Sequence, residues 1–429
     1  MQSKFSRLEI APGVSFNAIK DDRFKTGRIS VTMFLPLERE TAAVYAVLPF
    51  VLTNSCRKYP DFTSLNRHLE ELYGASLFAD VNKMGEMQAL TVAVSFLDDK
   101  FTLGGENLSC SLTQLLCDIL FDPLLTEAGA FKEDNVEQEK RQLIELIDSE
   151  YSDKKAFAKT RCEQIMCQDE KFGISKWGEK EEVVALPPKD IVKAWQTALK
   201  TAKIEIMALG DLDEKSALAG FKEAFSKIKR ENVAKFETQV IGKAEKVKEQ
   251  CEKQDVAQCK LVMGFRTGAA QTDPEVMAVR VAVALFGATP QSKLFLNVRE
   301  KLSLCYYCAA KYDRIKGIML VQSGVEQKNL EKARAEILNQ LDEIKNGNFT
   351  DAELDDTKRS LANSYRTIGD FLSGLENFYL SQVFDGEFLA PEQFLEAMEK
   401  VSKEQVAAAA KLITLDTVYA LVGSEEVAR

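Results

Sequence analysis

The order of predicted secondary-structure elements repeats along this chain, and that repetition restricts the possible folds more than any single motif. Each half begins with a strand and a buried helix, continues with a second helix, a strand pair and several helices, and ends with a strand. The first half starts at the β-branched strand Ile29–Leu35 and ends at Ala202–Leu209, whereas the second starts at Gln258–Gly264 and ends at Val418–Val422. This order predicts an α+β fold of two similar domains, each a mostly antiparallel sheet packed with helices.

A polar stretch separates the two halves. Asp211–Asp255 is rich in lysine and glutamate, and its pattern predicts one helix near Ser216–Ile228 followed by a connector. The predicted division is an N-terminal domain over 1–215, a linker region over 216–255 and a C-terminal domain over 256–429. Limited proteolysis is expected to cut first in the polar stretch.

The composition narrows the function classes and the compartment. The formal net charge of −10 argues against nucleic-acid binding, which usually needs a basic surface. The residues up to Phe16 lack the apolar segment of a secretory signal, and the apolar runs Ala42–Leu52 and Val279–Ala288 are too short to cross a membrane. Nine cysteines without regular spacing are typical of reduced thiols, so the chain is predicted to be cytoplasmic.

Two of these cysteines, Cys305 and Cys308, have the C-x-x-C spacing of a redox pair or of half a zinc site. Redox pairs of this kind lie at helix N-termini, whereas this segment is predicted to be a strand, and the sequence has no second C-x-x-C. Two buried structural thiols are therefore the favoured interpretation.

The chain has one histidine, His68, and this excludes every metal site that needs two histidines from one chain. The H-E-x-x-H and H-x-x-E-H zinc motifs are among the excluded sites. Because His68 falls in the short charged helix Leu65–Tyr73, it is predicted to be a surface helix residue.

The stretch Ser292–Tyr307 brings an arginine and a tyrosine close together. Ser292–Lys301 predicts a short amphipathic helix, and the segment after it predicts a strand whose antiparallel partner is Gly317–Val325. Arg299 near the helix end and Tyr306 early in the strand can both donate hydrogen bonds to one oxyanion. The alternative is that Arg299 pairs with a surface carboxylate and Tyr306 packs in a core.

Two segments carry a resemblance to a known family. The buried helix near Ala42–Thr53, followed by YPDFTSLNRHLEELYGASLFADVNKMGE, and the later QSKLFLNVREKLSLCYY resemble the insulinase/pitrilysin metallopeptidases. Two-chain members of that family include mitochondrial processing peptidase and bacterial heterodimers. The most specific match is to the C-terminal Arg/Tyr signature of the family, at Arg299 and Tyr306.

The resemblance also implies that the zinc-binding motif of the family is missing from this chain. In catalytic members the buried first helix carries H-x-x-E-H, and the matching segment here is Ala46–Phe50, with Ala46, Pro49 and Phe50 where the motif residues would stand. A third ligand would fall near Glu145 or Leu146, and Glu139 and Glu145 are the available carboxylates. The resemblance therefore implies no metal and no cofactor in this chain.

From the resemblance we expect the non-catalytic subunit of a heterodimeric zinc metalloendopeptidase, inactive alone, that binds and positions peptide substrates. Its partner would be a homologous catalytic subunit with an intact H-x-x-E-H motif and the zinc, and Arg299 and Tyr306 would act in trans to that zinc site. An isolated homodimer is also possible. Lys293 and Glu300 are expected to be neighbouring surface residues that matter less.

Two other functions remain open on the sequence alone. The first alternative is a stand-alone peptide-binding or scaffold protein with a degenerate peptidase fold. A hydrolase with another mechanism is less favoured, because His68 on a charged helix is a poor general base.

Overall fold

Two mixed sheets organise the computed structural model of the chain, which describes residues 4–423. The strands of the first sheet are β1 (Lys4–Ala11), β2 (Val14–Lys20), β3 (Thr26–Pro36), β4 (Ser76–Met84), β5 (Met87–Leu97) and β6 (Lys203–Leu209). The strands of the second sheet are β7 (Lys248–Gln254), β8 (Cys259–Arg266), β9 (Cys305–Asp313), β10 (Ile318–Val325) and β11 (Thr414–Gly423). The strand orders are β1-β2-β6-β3-β5-β4 and β7-β11-β8-β10-β9.

Helices fill the connections between the strands. The helices before β7 are α1 (Arg39–Leu52), α2 (Phe62–Glu71), α3 (Leu108–Phe121), α4 (Glu133–Ser152), α5 (Lys154–Met166), α6 (Lys180–Ala185), α7 (Pro188–Thr201) and α8 (Glu214–Ser226). The later ones are α9 (Val276–Val283), α10 (Leu330–Lys345), α11 (Asp351–Thr367), α12 (Leu372–Leu380), α13 (Pro391–Glu399) and α14 (Lys403–Leu412). Two segments are π-helical, Ala284–Ala288 and Leu294–Lys301. Short 3₁₀ turns lie at Asp99–Phe101, Lys171–Gly173, Gln327–Asn329 and Ile368–Asp370. No helix within residues 4–423 is both long and apolar enough to cross a membrane.

The repeat predicted from the element order is present in the sheets. In the first sheet β3 lies between β6 and β5, and β4 pairs with β5 as an antiparallel hairpin. In the second sheet β8 lies between β11 and β10, and β9 pairs with β10 in the same way. Each sheet also has one parallel pair, β2 with β6 and β7 with β11. The predicted α+β fold, with two mostly antiparallel sheets packed with helices, is confirmed.

The chain forms two compact units, and each unit is built from two separate stretches of the sequence. One unit contains the residues up to Ile147 and Ile174–Glu237, and the other contains Asp148–Gly173 and the residues from Thr238 onward. The segment 148–173, which includes α5, thus belongs with the second sheet. The predicted linker region 216–255 contains most of α8 and all of β7, with irregular backbone over 227–247 between them.

The core of the first unit lies between its sheet and α1. This helix is apolar on nearly all sides, and Ala46, Val47, Leu48 and Leu52 are fully buried. Full burial of one leucine side chain contributes about 1.5–3 kcal/mol to stability. Burial of these apolar side chains therefore stabilises the packing of α1 in the core. Pro49 lies inside the helix near its end, as the sequence predicted.

The second sheet is covered by helices on both faces. Its main core joins α9, α10 and α14 to strand residues such as Met263 and Val321. On the other face, α5 packs Ala158, Cys162 and Met166 against β8, β10 and β11. Gly264 allows this close approach, because a Cβ there would lie 2.7 Å from Met166 Sδ.

Candidate functional site

The π-helix Leu294–Lys301 and strand β9 form the predicted Arg/Tyr region. Leu294 and Val298 are fully buried and fix the inner face of this helix in the second core. The chain then reverses through Ser303, whose φ of 49° is in the left-handed region, and Leu304 N donates to Val298 O at 3.0 Å. This tight return places the outer end of the helix beside the start of β9.

Arg299 and Tyr306 line one cavity of about 400 Å³. The other lining residues are Glu300, Ser303, Leu304, Cys305, Glu326 and Asn329. The structure therefore brings together the two residues that the sequence proposed as hydrogen-bond donors.

Both donors are exposed to solvent. Tyr306 is 61% exposed, so it does not pack in a core as the alternative interpretation required. The Arg299 guanidinium lies 4.7 Å from the centroid of the Phe295 ring, and its Nε is 3.6 Å from Glu300 Oε1. An exposed pair of this kind is typically worth less than about 1 kcal/mol, which leaves the guanidinium available to another anion.

Acidic groups also face this cavity. Glu326 forms an ion pair of 2.9 Å with Lys328, and this pair, with a smaller contribution from the Tyr306 hydroxyl, lowers the pKa of Glu326. The cavity thus holds one guanidinium, one phenol and two carboxylates, those of Glu300 and Glu326.

Cys305 and Cys308 lie on the same buried side of β9 because the strand is irregular there. Val325 pairs with Cys305 and Gly324 with Tyr307, so Tyr306 is an extra residue in this strand. A hydrogen bond from Cys308, assisted by Ser323 and the charge of Arg299, lowers the pKa of the Cys305 thiol to about 7 despite its burial. No disulfide joins them, and both are free cysteines. The pair is two thiols of unequal acidity.

The position matching the family's metal motif lies in α1. Ala46 and Pro49 are buried there, Phe50 is half-buried, and none of the three offers a ligand atom for zinc. Within residues 4–423 no group of three or more histidine, cysteine, aspartate or glutamate side chains can hold a metal. The residues at this position do not fit a zinc ion, because Ala46, Pro49 and Phe50 have hydrocarbon side chains that cannot coordinate a metal.

Of the two candidate carboxylates on α4, Glu139 is buried and Glu145 is exposed. Glu139 accepts a hydrogen bond of 3.0 Å from Asn54 Nδ2, just beyond the end of α1, and burial raises the pKa of Glu139. An asparagine–glutamate contact thus joins α1 to α4. The charged sequence of α4 gave no signal that distinguishes Glu139 from its neighbours.

His68 lies on α2, the predicted short helix, and is half-buried where the sequence predicted a surface residue. Its ring stacks on Tyr59 with centroids 4.5 Å apart, and its Nδ1 is 3.9 Å from Glu71 Oε2. Burial and the nearby Lys58 charge lower the pKa of His68. The packing of the ring on Tyr59 is the physical reason for the difference.

A curated relative covers nearly the whole chain. The probable inactive metalloprotease YmfF of Bacillus subtilis (strain 168) is 32% identical over 413 residues, which are 96% of each chain. Residues 185–361 also match the family described as the peptidase M16 inactive domain. The fold, these matches and the lack of metal-ligand side chains at the motif position of α1 define a metalloprotease homologue without the zinc motif. The chain belongs to the peptidase M16 family, and the resemblance to the insulinase/pitrilysin enzymes is confirmed.

Solved structures agree on the fold. A conserved protein from Enterococcus faecalis has a TM-score of 0.90 and 26% identity, covering 99% of this chain and 100% of that one. A protease from Helicobacter pylori has a TM-score of 0.79 and 13% identity, with 98% and 100% covered. A peptidase M16 inactive domain from Pseudomonas fluorescens has a TM-score of 0.75 and 16% identity, with 99% and 100% covered.

Proposed function

We propose that this chain is the non-catalytic subunit of a heterodimeric zinc endopeptidase and that it binds and positions peptide substrates. The observation that carries the proposal is the cavity shared by Arg299 and Tyr306, in a chain whose first helix offers no metal ligand. The partner is a homologous catalytic subunit with an intact H-x-x-E-H motif, which supplies the zinc and the general base. Nine free thiols support a reducing, cytoplasmic location for the pair.

Arg299 and Tyr306 contribute charge stabilisation to the partner's active site. When a peptide bond is attacked, its carbonyl oxygen gains negative charge, and donors placed at that oxygen stabilise the transition state. The guanidinium is charged at every relevant pH and presents a rigid fork, and the phenol donates one O–H. Removing one such donor typically costs about 2.7–4 kcal/mol of transition-state stabilisation.

The edge strand β9 provides a place for the peptide itself. It is the outermost strand of the second sheet, so one side of its backbone has no strand partner within the described sheet. An extended peptide can add to such an edge through main-chain hydrogen bonds. Tyr306 is exposed on this strand, so a peptide bound there passes the Arg299/Tyr306 cavity.

The test is to purify this chain together with the H-x-x-E-H homologue from the same genome and to measure zinc, assembly and peptide cleavage. We expect one zinc per heterodimer, activity only in the mixed complex, and no activity in this chain alone. Arg299→Ala and Tyr306→Phe should each lower turnover about a hundredfold or more without changing the size of the complex.

Lys301→Ala is the matched control, because Lys301 is an exposed cation at the end of the same helix. Lys293 is unsuitable as a surface control, since it forms an ion pair of 2.6 Å with Glu353 and is largely buried. Full activity of the Arg299→Ala, Tyr306→Phe double variant would overturn the role in trans and favour a stand-alone peptide-binding or scaffold protein.

A further inference from the structure

A second cavity, of about 300 Å³, lies within the second unit between α11 and the helical segment that runs from α9 into its π-helical turn. Its lining residues are Arg280, Val283, Ala284, Ala288, Tyr312, Leu361, Ser364, Tyr365 and Ile368. None of them lines the Arg299/Tyr306 cavity. By element order, α9 and α11 correspond to α1 and α4 of the first half, the two helices that would carry zinc ligands in catalytic relatives.

Arg280 is the charged group of this cavity. One of its Nη atoms donates to the Tyr365 hydroxyl, and no carboxylate of the described chain forms an ion pair with it. Burial, with the repulsion of Arg314, lowers the pKa of Arg280 to about 10, which leaves it positively charged at neutral pH. Arg280 is half-buried, and a charge partly withdrawn from water without a counter-ion is unfavourable, so this site favours an anion.

The neighbouring groups do not supply that anion. Asp385 lies nearby but is held by Arg314, whose Nη1 is 2.7 Å from Asp385 Oδ1. The ring faces of Tyr365 and Phe394, 5.7 and 5.9 Å from the Arg280 guanidinium, compensate its charge only in part. Two guanidinium groups therefore lie near one carboxylate, and only Arg314 forms an ion pair with it.

The cavity offers both polar and apolar contacts. Because the Tyr365 hydroxyl accepts from Arg280, its own proton remains available for donation to a ligand. Val283 and Ala284 are buried, and Leu361 and Ile368 are half-buried, so the remaining wall is mostly aliphatic. The volume is at the small end of ligand pockets, about 300–1,000 Å³.

The backbone leaves room for a ligand at this place. A π-helical turn is rare and often found at functional sites, and here it spans Ala284–Ala288. Two of its small side chains, Ala284 and Ala288, line the cavity, and Ala288 is exposed at the mouth.

We propose that this cavity binds a small carboxylate that carries an apolar group, with the carboxylate paired to Arg280 and hydrogen-bonded by Tyr365. A carboxylate matches the flat guanidinium fork and brings one negative charge to one uncompensated positive charge. A phosphate dianion would bring excess charge into an aliphatic pocket. The proposal does not depend on the peptidase role of the chain.

The test is calorimetric titration of the full-length chain with three probes. N-acetyl-leucine represents the carboxyl end of a peptide, hexanoate represents a simple aliphatic acid, and N-acetyl-leucinamide has the same side chain without the charge. We expect at least one acid to bind and the amide to bind at least tenfold more weakly. Tighter binding of N-acetyl-leucine than hexanoate identifies a peptide end as the natural source, and the reverse order identifies an aliphatic acid.

Variants then assign the site. Arg280→Gln should weaken binding of the acid roughly ten- to hundredfold, the range for a lost hydrogen bond to a charged group, and Tyr365→Phe should weaken it less. Ala288→Met fills the mouth and should abolish binding without touching the guanidinium, which keeps the test valid if Arg280→Gln does not fold. Arg366→Gln is the control, because Arg366 is an exposed cation on α11, next to Tyr365 in the sequence. Absence of binding by both acids, equal binding of acid and amide, or unchanged binding in Ala288→Met would overturn the proposal.

Discussion

Glu139 of α4 is a buried carboxylate whose hydrogen-bond partner is the uncharged amide of Asn54. The carboxylate is 6% exposed and accepts from an amide rather than from a cation, so its charge is poorly compensated. Burial therefore raises the pKa of Glu139 above the ordinary value of 4.5. This residue carries a pH dependence that an exposed glutamate would lack.

We predict that Glu139→Gln gains stability relative to the wild type as the pH rises above the ordinary glutamate value of 4.5 and through the raised native pKa. The native state holds the Glu139 proton more tightly than the unfolded chain does, so the protonated carboxyl stabilises at low pH. That stabilisation is lost as the pH rises through the native pKa, and glutamine cannot ionise. Urea unfolding at a series of pH values measures the difference. Glu145→Gln, at an exposed position of the same helix, should show no such trend.

We predict that Cys305 is alkylated by iodoacetamide with a midpoint near pH 7, because hydrogen bonds and the Arg299 charge stabilise its thiolate. The measurement is mass spectrometry of the Cys305 peptide in a Cys110→Ser, Cys251→Ser background, since both of those thiols are exposed. Arg299→Gln should move the midpoint upward. A midpoint at the ordinary thiol value of 9.0 would contradict the stabilisation of the Cys305 thiolate by the Cys308 hydrogen bond.

At the scale of elements, a buried ionic network anchors the segment 148–173 to the second sheet. Arg266 of β8 contacts Glu170 at 2.6 Å and Asp416 at 2.7 Å, and Lys316 contacts Glu170 at 2.6 Å. All four side chains are at most 4% exposed. Burial raises the pKa of Glu170, but the hydrogen bonds from Arg266 and Lys316 outweigh it and lower that pKa.

We predict that Glu170→Gln lowers the free energy of unfolding by about 3–5 kcal/mol, because it leaves buried cations without their carboxylate. Chemical unfolding at neutral pH measures this loss. Because the pKa of Glu170 is lowered on folding, its contribution is present above the ordinary value of 4.5 and is lost as the pH falls through the native pKa. The control is Arg359→Gln, which breaks an exposed pair with Asp356 and should cost less than about 1 kcal/mol.

The sequence predicted best those elements whose apolar residues are continuous or recur with the spacing of a helix or a strand. Except for β7, the strands from β3 onward and the buried helix α1 follow from apolar strand patterns and a continuous apolar segment. Strand β7 did not, because KEQCEKQ has no apolar face and its residues alternate only between exposed and half-buried positions. It is an edge strand held by backbone pairing with β11, which hydropathy does not report.

Of the two candidate sites, the sequence predicted the one at Arg299 and Tyr306 and missed the one at Arg280. Arg299 and Tyr306 are close in sequence, so a predicted helix and strand were enough to bring them together. Arg280 appeared in the sequence only as a charge that interrupts an apolar run. Its neighbours Tyr365 and Phe394 are far along the chain, and a contact between such distant positions depends on the packing of α9 with α11 and α13.

At the scale of the whole molecule, the division into domains 1–215 and 256–429 with a linker 216–255 stays a prediction. The irregular backbone inside the predicted linker is the segment where a protease should cut. Between α8 and β7, residues 227–247 form no regular structure, and Lys243 and Lys246 are exposed. We predict that trypsin cuts first at Lys243 or Lys246, and not in α8 or β7. Mass spectrometry of the early fragments identifies the cut.

The nicked chain should still elute as one species. Its N-terminal fragment carries α5, and its C-terminal fragment carries the strands on which α5 packs. Two fragments that separate without denaturant would contradict this assignment of the segment 148–173. In the Glu170→Gln variant, the fragments should separate at a lower urea concentration.

The placement of α5 also has a consequence for synthesis on the ribosome. The helix emerges early, but Cys162 lies against Val262, which is 100 residues later in the chain. At about 5–20 residues per second, the nascent helix waits about 5–20 s for its first partner strand, and longer for β11. During that interval its apolar face, with Ala158 and Met166, has no sheet to cover it, so the nascent chain exposes apolar surface that can aggregate or bind chaperones.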